Sequence, residues 1–377
     1  MSLHDLVELA RRYGVNPQWA PDGRGSVSLK EKNTLRIISD GVSLADCTEE
    51  LFVALDRRKV AAIVRGELPE EPLAREREAW SLLLEARRAG QQQVPPAEAL
   101  LHEAARYAFA AYTHPPLVNG ICCAVEGEAA AARLFDGAVT WVPQASIGVE
   151  AARALARGIA GRRSDSGGED EPVLAALVRN NGLLIAADSV EQLRKVERWV
   201  IETVRGAVGR LPDLGPVAYD VQAAELIALQ ISRRAEQWDR SGVRYRTALL
   251  TNRELARFVR SAGAFTPLAE PLCIHHVVPL GHRIPFLSLN DDMIAAGRAI
   301  AEEIERYGEE AGWVPPALAV AGLGVFVTGR NRREMDVTAA MLLDAIQIAV
   351  DAQDFGGAAA LPQEQIDLCL RWAGSEN

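Results

Sequence analysis

Residues 95–116 read PPAEALLHEAARYAFAAYTHPP, and this stretch carries most of what the sequence predicts about fold and site. The two leading prolines suit the first turn of a helix, where a missing N–H is tolerated, and apolar residues then recur at helical spacing. Glu98 and His102 stand one helical turn apart. A short apolar run follows and ends at His114, before two more prolines. The stretch therefore predicts a helix and then a strand, with polar side chains at the ends of both.

The flanking sequence predicts further strands and helices. GRGSVSLKEKNTLRIIS, residues 23–39, is a glycine-led pair of alternating runs and predicts a β-hairpin. LFVALD and KVAAIV, residues 51–56 and 59–64, predict a second pair of strands. Beyond His114, short apolar runs such as GICCAV, residues 120–125, alternate with helices, which indicates an α/β or α+β layered fold.

The chain divides in two on composition. GRLPDLGP, residues 209–216, has the composition of a linker. We therefore predict a first domain over residues 1–210 and a second αβ unit over residues 217–377. NNGLLIAADS at 180 resembles GLGVFVTGRN at 322, which pairs Gly182 with Gly324. The second unit is thus a degenerate repeat of part of the first, or the two units share only an unrelated β-turn-β-helix pattern.

The repeat hypothesis also aligns YTHPPLVNGICCAV at 112 with FTPLAEPLCIHHVV at 265. In this alignment Pro267 takes the place of His114. Leu323 takes the place of Asn181. If the repeat is real, the second unit lacks an equivalent of a site built on those two residues.

Composition excludes several classes of partner. The 377 residues are 49% hydrophobic and 24% charged, with a net charge of −10. An acidic chain argues against a nucleic-acid binder and against docking to an anionic membrane. No run of about 18 apolar residues and no signal-type segment occurs, so no membrane location is predicted. The five cysteines form no C-x-x-C pair, which favours a reducing, cytoplasmic location.

Three motifs resemble the class II aldolase/adducin family. PPAEALLH, residues 95–102, is similar to the family's P-S-x-E-x-x-x-H helix. YTHP, residues 112–115, is similar to its strand that ends H-T-H, and VRNNGL, residues 178–183, to its E-N-H-G-L strand. The likeness covers nearly the whole chain and is nearest to the aldolase part of the bifunctional rhamnulose-1-phosphate aldolase/alcohol dehydrogenases.

The resemblance implies a fold, a chemistry and an assembly. The fold would be a three-layer αβα domain around a central mixed or antiparallel sheet. The chemistry would be aldol cleavage of a sugar phosphate, with Zn²⁺ held by three histidines and a glutamate that moves the proton. The ligand would be carbohydrate-like, and the chain would form a homo-oligomer. No G-x-G-x-x-G motif is present, so no nucleotide cofactor is predicted.

The family's site residues carry over only in part. Glu98 matches the acid/base glutamate, and His102 is interpreted as a structural or supporting residue. Tyr112, His114 and Asn181 stand at the three zinc-ligand positions, so His114 is the one remaining imidazole. A phenol keeps its proton until about pH 10, and a neutral carboxamide is a weak zinc ligand, so zinc binding in the family's geometry is questionable.

The phosphate-binding turns differ as well. The family's G-G-G-N-T-S turn reads GRGSVS here, so that Gly25 and Ser28 match while Ser26 replaces an asparagine. The second turn reads SDGVSL and places Asp40 before Gly41, where the family has a phosphate-contacting serine. A carboxylate repels a phosphate unless a cation lies between them. We predict that these residues, with Asn181 and Gly182, line the substrate-binding region, and the changed turns indicate an unphosphorylated ligand, a different ligand, or none.

Three functions stay open. The first is an aldolase-like carbon–carbon lyase with a rebuilt or lost zinc site. The second is a non-catalytic member of the fold that binds a small molecule or a protein. The third is a metal-independent enzyme in which Tyr112, His114 and Glu98 form an acid/base cluster. His275, His276 and His282 are predicted to be ordinary strand-end histidines, because adjacent strand residues point to opposite faces.

Overall fold

The computed structural model describes residues 3–143, 148–165, 173–289 and 292–375. The chain divides into two compact units. The first unit comprises Met1–Gly209 together with Asp354–Gly356, and the second comprises Arg210–Gln353 together with Gly357–Asn377.

The first unit is built on a mixed sheet flanked by helices, which agrees with the predicted fold class. Its described strands follow the order β3-β2-β1-β4-β7-β6-β5. Every described neighbouring pair is antiparallel except β5 and β6. The strands are β1 (Gly25–Glu31), β2 (Thr34–Ile38), β3 (Phe52–Asp56), β4 (Phe109–Thr113), β5 (Thr140–Val142), β6 (Val173–Val178) and β7 (Gly182–Ala187).

Helices cover the strands of this sheet. The helices are α1 (Leu3–Gly14), α2 (Arg57–Arg65), α3 (Pro72–Glu85), α4 (Ala99–Ala104), α5 (Pro116–Cys122), α6 (Gly127–Leu134), α7 (Val149–Asp165) and α8 (Val190–Ala207). Apolar residues of α4, α7, β4, β6 and β7 form one buried cluster that includes Tyr112. Helix α4 therefore packs on the same face of the sheet as the Tyr112 side chain.

The second unit has a smaller sheet with the order β8-β11-β10-β9 among its described strands. The strands are β8 (Arg246–Leu250), β9 (Phe286–Leu287), β10 (Ala317–Val320) and β11 (Gly324–Gly329). The helices are α9 (Val221–Asp239), α10 (Arg253–Phe258), α11 (Ala262–Phe265), α12 (Ile274–Leu280), α13 (Met293–Ala311), α14 (Arg332–Asp351) and α15 (Gln363–Ser375). Within the described ranges, no helix of either unit is long and apolar enough to cross a bilayer.

The hairpin predicted at residues 23–39 is confirmed, but two other strand predictions are wrong. KVAAIV lies in helix α2, where the Asp56 carboxylate accepts a hydrogen bond from the Arg58 N–H at 2.9 Å and caps the first turn. GICCAV spans the end of helix α5, which begins with a proline at its first position. Each run is only six residues long, and an apolar run this short fits a strand and a helix equally.

The predicted strand at CIHHVV is also wrong. Cys273 precedes helix α12, and His275 and His276 lie in its first turn. His282 lies after the helix, beside Gly281 with its φ of +79°. The two adjacent histidines therefore need not face opposite ways, because that expectation holds only for a strand.

Part of each sheet has the same topology. In the first unit the order β4-β7-β6-β5 has one parallel pair at its end, and the order β8-β11-β10-β9 in the second unit repeats it. The tight hairpins also match, since Val178 pairs with Gly182 and Val320 with Gly324. The equivalence of Gly182 and Gly324 thus agrees with the register of both sheets.

The register corrects the alignment upstream of these glycines. Thr113 pairs with Leu183 in the first unit, and Leu250 pairs with Val325 in the second, so β8 is the topological counterpart of β4. Thr251 then corresponds to His114. Pro267 does not, because residues 266–268 form a short 3₁₀ helix.

Candidate functional site

The end of strand β4 brings Tyr112 and His114 together. Alternate residues of a strand share a face, and the rings of these two residues meet edge to face with centroids 5.0 Å apart. Tyr112 is paired with Ser26 on β1 and with Leu184 on β7. Both side chains are buried, with exposures of 1% and 6%.

A hydrogen bond fixes the His114 imidazole. Its Nδ1–H donates to the backbone carbonyl of Asn181 at 2.8 Å, because a carbonyl oxygen can only accept. The His114 backbone N–H donates to the carbonyl of Trp19 at 3.1 Å. The neutral ring therefore has its lone pair on Nε2, the tautomer that suits proton acceptance or metal binding.

The turn between β6 and β7 holds Asn181 against this histidine. Asn180 has a φ of +51°, and its N–H donates to the Cys122 carbonyl at 2.9 Å. A side chain at Gly182 would place its Cβ 2.4 Å from the Thr113 carbonyl oxygen and 2.9 Å from His114 Nδ1. Glycine is thus required here by the close approach of β4, which explains the N-N-G sequence of the turn.

Asn181 is buried, with an exposure of 2%. Its Oδ1 lacks a hydrogen-bond partner among the described residues. Of the three family ligand positions, Tyr112 meets His114 through its ring, and Asn181 contacts His114 through its backbone carbonyl. Only the imidazole matches the family's set of three histidines.

Helix α4 brings His102 onto strand β1. Its Nε2 lies 2.9 Å from Ser26 Oγ and its Nδ1 lies 2.7 Å from Ser28 Oγ. Burial, and secondly the charge of Lys30, lower the pKa of His102 to about 3, so the ring is neutral and bridges the two hydroxyls. This agrees with a supporting role for His102. The two serines, predicted to contact substrate, are themselves buried in this bridge.

Lys30 extends the same row, since Ser26, Ser28 and Lys30 alternate along one face of β1. Its ammonium group donates to the carbonyls of Ala105 and Tyr107 at the end of α4. Burial lowers the pKa of Lys30 to about 7. This network was not predicted from the sequence, although the period-two spacing of polar residues in the hairpin was its signal.

Glu98 directly precedes α4, one turn before His102. Burial, and to a smaller extent the nearby charge of Asp40, raise the pKa of Glu98 to about 7, although a backbone hydrogen bond acts in the opposite direction. The residue as a whole keeps some exposed surface. A carboxyl group with this pKa can accept or donate a proton near neutral pH.

The two glycine turns that correspond to the family's phosphate-binding turns differ in the space around them. Gly25 has a φ of +147°, and a Cβ there would lie 2.7 Å from the Tyr112 carbonyl oxygen. Gly41 has a φ of +72° and open space around it. Burial of the carboxyl raises the pKa of Asp40, while its hydrogen bond to the Gly41 backbone and the charge of Arg24 lower it. Arg24 lies 3.8 Å from Asp22.

Comparison with known families identifies the chain's relatives. The sequence profile of the Class II Aldolase and Adducin N-terminal domain matches residues 4–205, over half of the chain. The protein therefore belongs to the class II aldolase and adducin family. A search of curated proteins found no match.

Several solved structures resemble the chain weakly. The N-terminal class II aldolase domain of a conserved protein from Thermoplasma acidophilum is 17% identical over 55% of this chain and 93% of that one, with a TM-score of 0.45. An L-fuculose 1-phosphate aldolase is 17% identical over 60% and 95%, with a TM-score of 0.35. The L-fuculose-1-phosphate aldolase from Thermus thermophilus is 14% identical over 53% and 92%, with a TM-score of 0.33.

Proposed function

We propose that the first unit is a carbohydrate-binding, aldolase-like lyase that transfers protons through Glu98 without the family's three-histidine zinc site. The observation that supports this most is the carboxyl of Glu98, whose pKa of about 7 suits both halves of an acid/base cycle. A proton taken from a substrate hydroxyl is returned to the carbon of the cleaved fragment. The ligand class rests on membership of the class II aldolase and adducin family.

The ligand set disfavours zinc in the family's geometry. A tetrahedral zinc site of this kind needs three good protein donors and an open position for substrate. His114 is one such donor, whereas Tyr112 keeps its proton at neutral pH and the Asn181 carboxamide is a weak donor towards zinc. We therefore assign no step of the reaction to a metal. In this proposal Tyr112, which keeps its phenolic proton, donates a hydrogen bond to a bound carbonyl compound, and His114 accepts a proton at Nε2.

The proposed ligand is an unphosphorylated or differently substituted sugar. Asp40 stands where the family places a serine on the phosphate, and its carboxylate disfavours an anion there. By family resemblance we also propose a cytoplasmic homo-oligomer. The five cysteines, all in described residues, form no disulfide, which suits a reducing compartment.

Hydrogen–deuterium exchange at the carbon next to a ketose or aldose carbonyl tests the lyase proposal. This exchange requires only that the sugar binds and that the base is present. We expect the wild type to catalyse exchange on some member of a panel of free and phosphorylated sugars, and Glu98→Gln to lose it. Exchange that is unaffected in Glu98→Gln, or that occurs only on phosphorylated sugars, contradicts the proposed base or the proposed ligand.

Zinc content of the His114→Gln variant tests the metal statement. We expect the same zinc content per chain as in the wild type, because His114 alone does not hold the ion. Tyr112→His combined with Asn181→His should add one zinc per chain by restoring three imidazoles. A loss of one zinc per chain in His114→Gln would show that the first unit still binds zinc.

A second function is favoured by the depth of the site. Tyr112, His114 and Asn181 have exposures of 1%, 6% and 2%, so little of them is open to a ligand. This burial favours a non-catalytic member of the fold. Ligand-induced thermal stabilisation without exchange or cleavage on any sugar of the panel would select this alternative.

A further inference from the structure

The second unit gathers three metal-ligating side chains at the start of helix α12. The ligand atoms of Cys273, His275 and His276 all lie within 4.8 Å of one another, which makes this the one such group of three in the described residues. Their exposures are 0%, 9% and 0%. The group lies outside the residues matched by the family profile, which end at 205.

Asp344, on helix α14, holds both imidazoles. Its Oδ2 accepts hydrogen bonds from His275 Nε2 at 3.1 Å and from His276 Nε2 at 2.6 Å. Each Nε2 is therefore the protonated nitrogen, and Nδ1 has the lone pair.

One imidazole lone pair in this cluster has no partner. His276 Nδ1 is inaccessible to solvent and makes no hydrogen bond within the described part of the chain. A buried acceptor without a partner is unfavourable, since it has lost its water and gained nothing in exchange. A cation bound at Nδ1 would remove this cost.

A carboxylate on the far nitrogen of a metal-binding histidine is the usual way in which proteins orient such a ligand. Asp344 takes this position, because it bonds the Nε2 atoms and is not itself within the 4.8 Å group with Cys273. One thiolate and two imidazoles suit zinc and related divalent ions, whereas magnesium and calcium prefer oxygen ligands.

We propose that Cys273, His275 and His276 bind a zinc-type divalent metal ion in the second unit, with Asp344 holding the imidazoles in place. Binding exchanges the Cys273 thiol proton for a metal–sulfur bond and releases that proton to solvent.

The topology of the second unit indicates what this ion would stabilise. Between β4 and β5 the first unit has residues 114–139, whereas between β8 and β9, their topological counterparts, the second unit has residues 251–285. Helix α12 lies in this longer connection, and it contains Pro279, which removes a helical hydrogen bond. A metal bound at its first turn, with Asp344 as the outer partner, would fasten α12 to α14.

Cobalt substitution of the tag-free, full-length protein tests the proposal. After removal of bound metal with a chelator, Co²⁺ should bind at one ion per chain. It should give the visible absorption of a tetrahedral site and a thiolate-to-cobalt charge-transfer band in the near ultraviolet. Cys273→Ser should abolish this charge-transfer band, and Cys122→Ser, a second buried cysteine, should leave it unchanged.

Further variants distinguish residues that bind the metal ion from residues that only lie near it. His276→Gln should weaken cobalt binding at least tenfold, and Asp344→Asn should weaken it by roughly 10- to 100-fold as the loss of an outer partner does. His282→Gln is the matched control, because His282 lies on the same connection but bonds Glu310 instead. His114→Gln should leave the cobalt spectrum intact, which keeps this test independent of the site proposed in the first unit.

X-ray absorption of the zinc-loaded wild type needs no variant. One sulfur at about 2.3 Å, with nitrogen ligands, is expected. Three results would each overturn the proposal: wild type that binds neither zinc nor cobalt, a zinc shell without sulfur, or a charge-transfer band that survives in Cys273→Ser. In those cases the cluster is only a hydrogen-bonded pair of histidines on a buried aspartate.

Discussion

Glu98 is a largely buried carboxyl group, and burial disfavours its ionised form. Its folded pKa of about 7 lies above the ordinary value of 4.5. The folded state therefore holds the proton more tightly than the unfolded state does. This stabilising contribution is complete below about pH 4.5 and is lost as pH rises to about 7. Above that pH the ionised carboxylate costs stability.

Glu98→Gln removes this cost. We expect the variant to be more stable than wild type at pH 8 by about 1 to 3 kcal/mol, the lower end allowing for the partial exposure of the residue. At pH 4.5 the two proteins should have nearly equal free energies of unfolding. Urea denaturation at both pH values measures the difference. The exposed Glu67, changed to Gln, is the control and should show no such dependence. Equal stability of Glu98→Gln and wild type at pH 8 would contradict the burial argument.

His102 shows the opposite case, in which burial keeps a base neutral. The two serine hydroxyls use both ring nitrogens, so the residue has no remaining atom for substrate chemistry. The histidine at this position thus shapes the site by holding strand β1 against helix α4. Glu98, one turn earlier, directly precedes the same helix.

At the scale of elements, two strand junctions depend on a glycine. A Cβ at Gly182 would meet the Thr113 carbonyl oxygen at 2.4 Å, and a Cβ at Gly324 would meet the Leu250 carbonyl oxygen at 2.5 Å. In each unit the first residue of the hairpin's second strand therefore allows the neighbouring strand to approach. Backbone atoms cannot move aside as a flexible side chain can.

Gly182→Ala should lower the free energy of unfolding by about 2 kcal/mol or more, as overpacking against a fixed backbone does. It should also displace His114, which is 2.9 Å from the new Cβ. Gly206→Ala in helix α8 is the matched control, since its Cβ meets nothing within 4 Å. That change should be neutral or stabilising by about 0.5 to 1 kcal/mol. Thermal denaturation compares them, and equal melting temperatures for the two variants would refute the close-packing account.

The sequence predicted some elements correctly and others wrongly for identifiable reasons. The β1–β2 hairpin was predictable because polar and apolar residues alternate along its sequence and a glycine precedes them. Helices α2, α5 and α12 were not, because short apolar runs show no period and their starts depend on local capping. The group at Tyr112, His114 and Asn181 followed from motifs. The cluster at Cys273 did not, since Asp344 lies far along the chain and only folding brings it there.

At the scale of the whole molecule, the two sheets share one strand order and differ in their residues and connections. The order β4-β7-β6-β5 and the order β8-β11-β10-β9 agree in direction and in hairpin register. We propose that the second unit is a degenerate copy of part of the first. Thr251, the counterpart of His114, then marks a site that the copy does not keep. The copy instead has α12 in a longer connection.

A three-residue segment from late in the chain is part of the first unit. Asp354–Gly356 belongs to it, although the residues on both sides belong to the second unit. The Phe355 carbonyl accepts a hydrogen bond from the Glu126 N–H at 3.0 Å, and the Asp354 carboxylate accepts one from the Gly209 N–H at 2.8 Å. Gly356 allows this approach, because a Cβ there would lie 2.8 Å from Glu126 Cγ.

The stability of the first unit should therefore depend on Phe355, whose exposure is 3%. Truncation of a buried phenylalanine costs about 3 to 5 kcal/mol. We expect Phe355→Ala in the full chain to accelerate amide hydrogen exchange near Glu126 and in helix α6, because residues 354–356 then lose their buried side chain. Leu361→Ala, a buried residue of the second unit, is the control and should accelerate exchange near Pro271, whose carbonyl accepts from the Leu361 N–H. Mass spectrometry of exchanged peptides distinguishes the two patterns. Unchanged exchange over residues 121–135 in Phe355→Ala would mean that the first unit is complete without this segment.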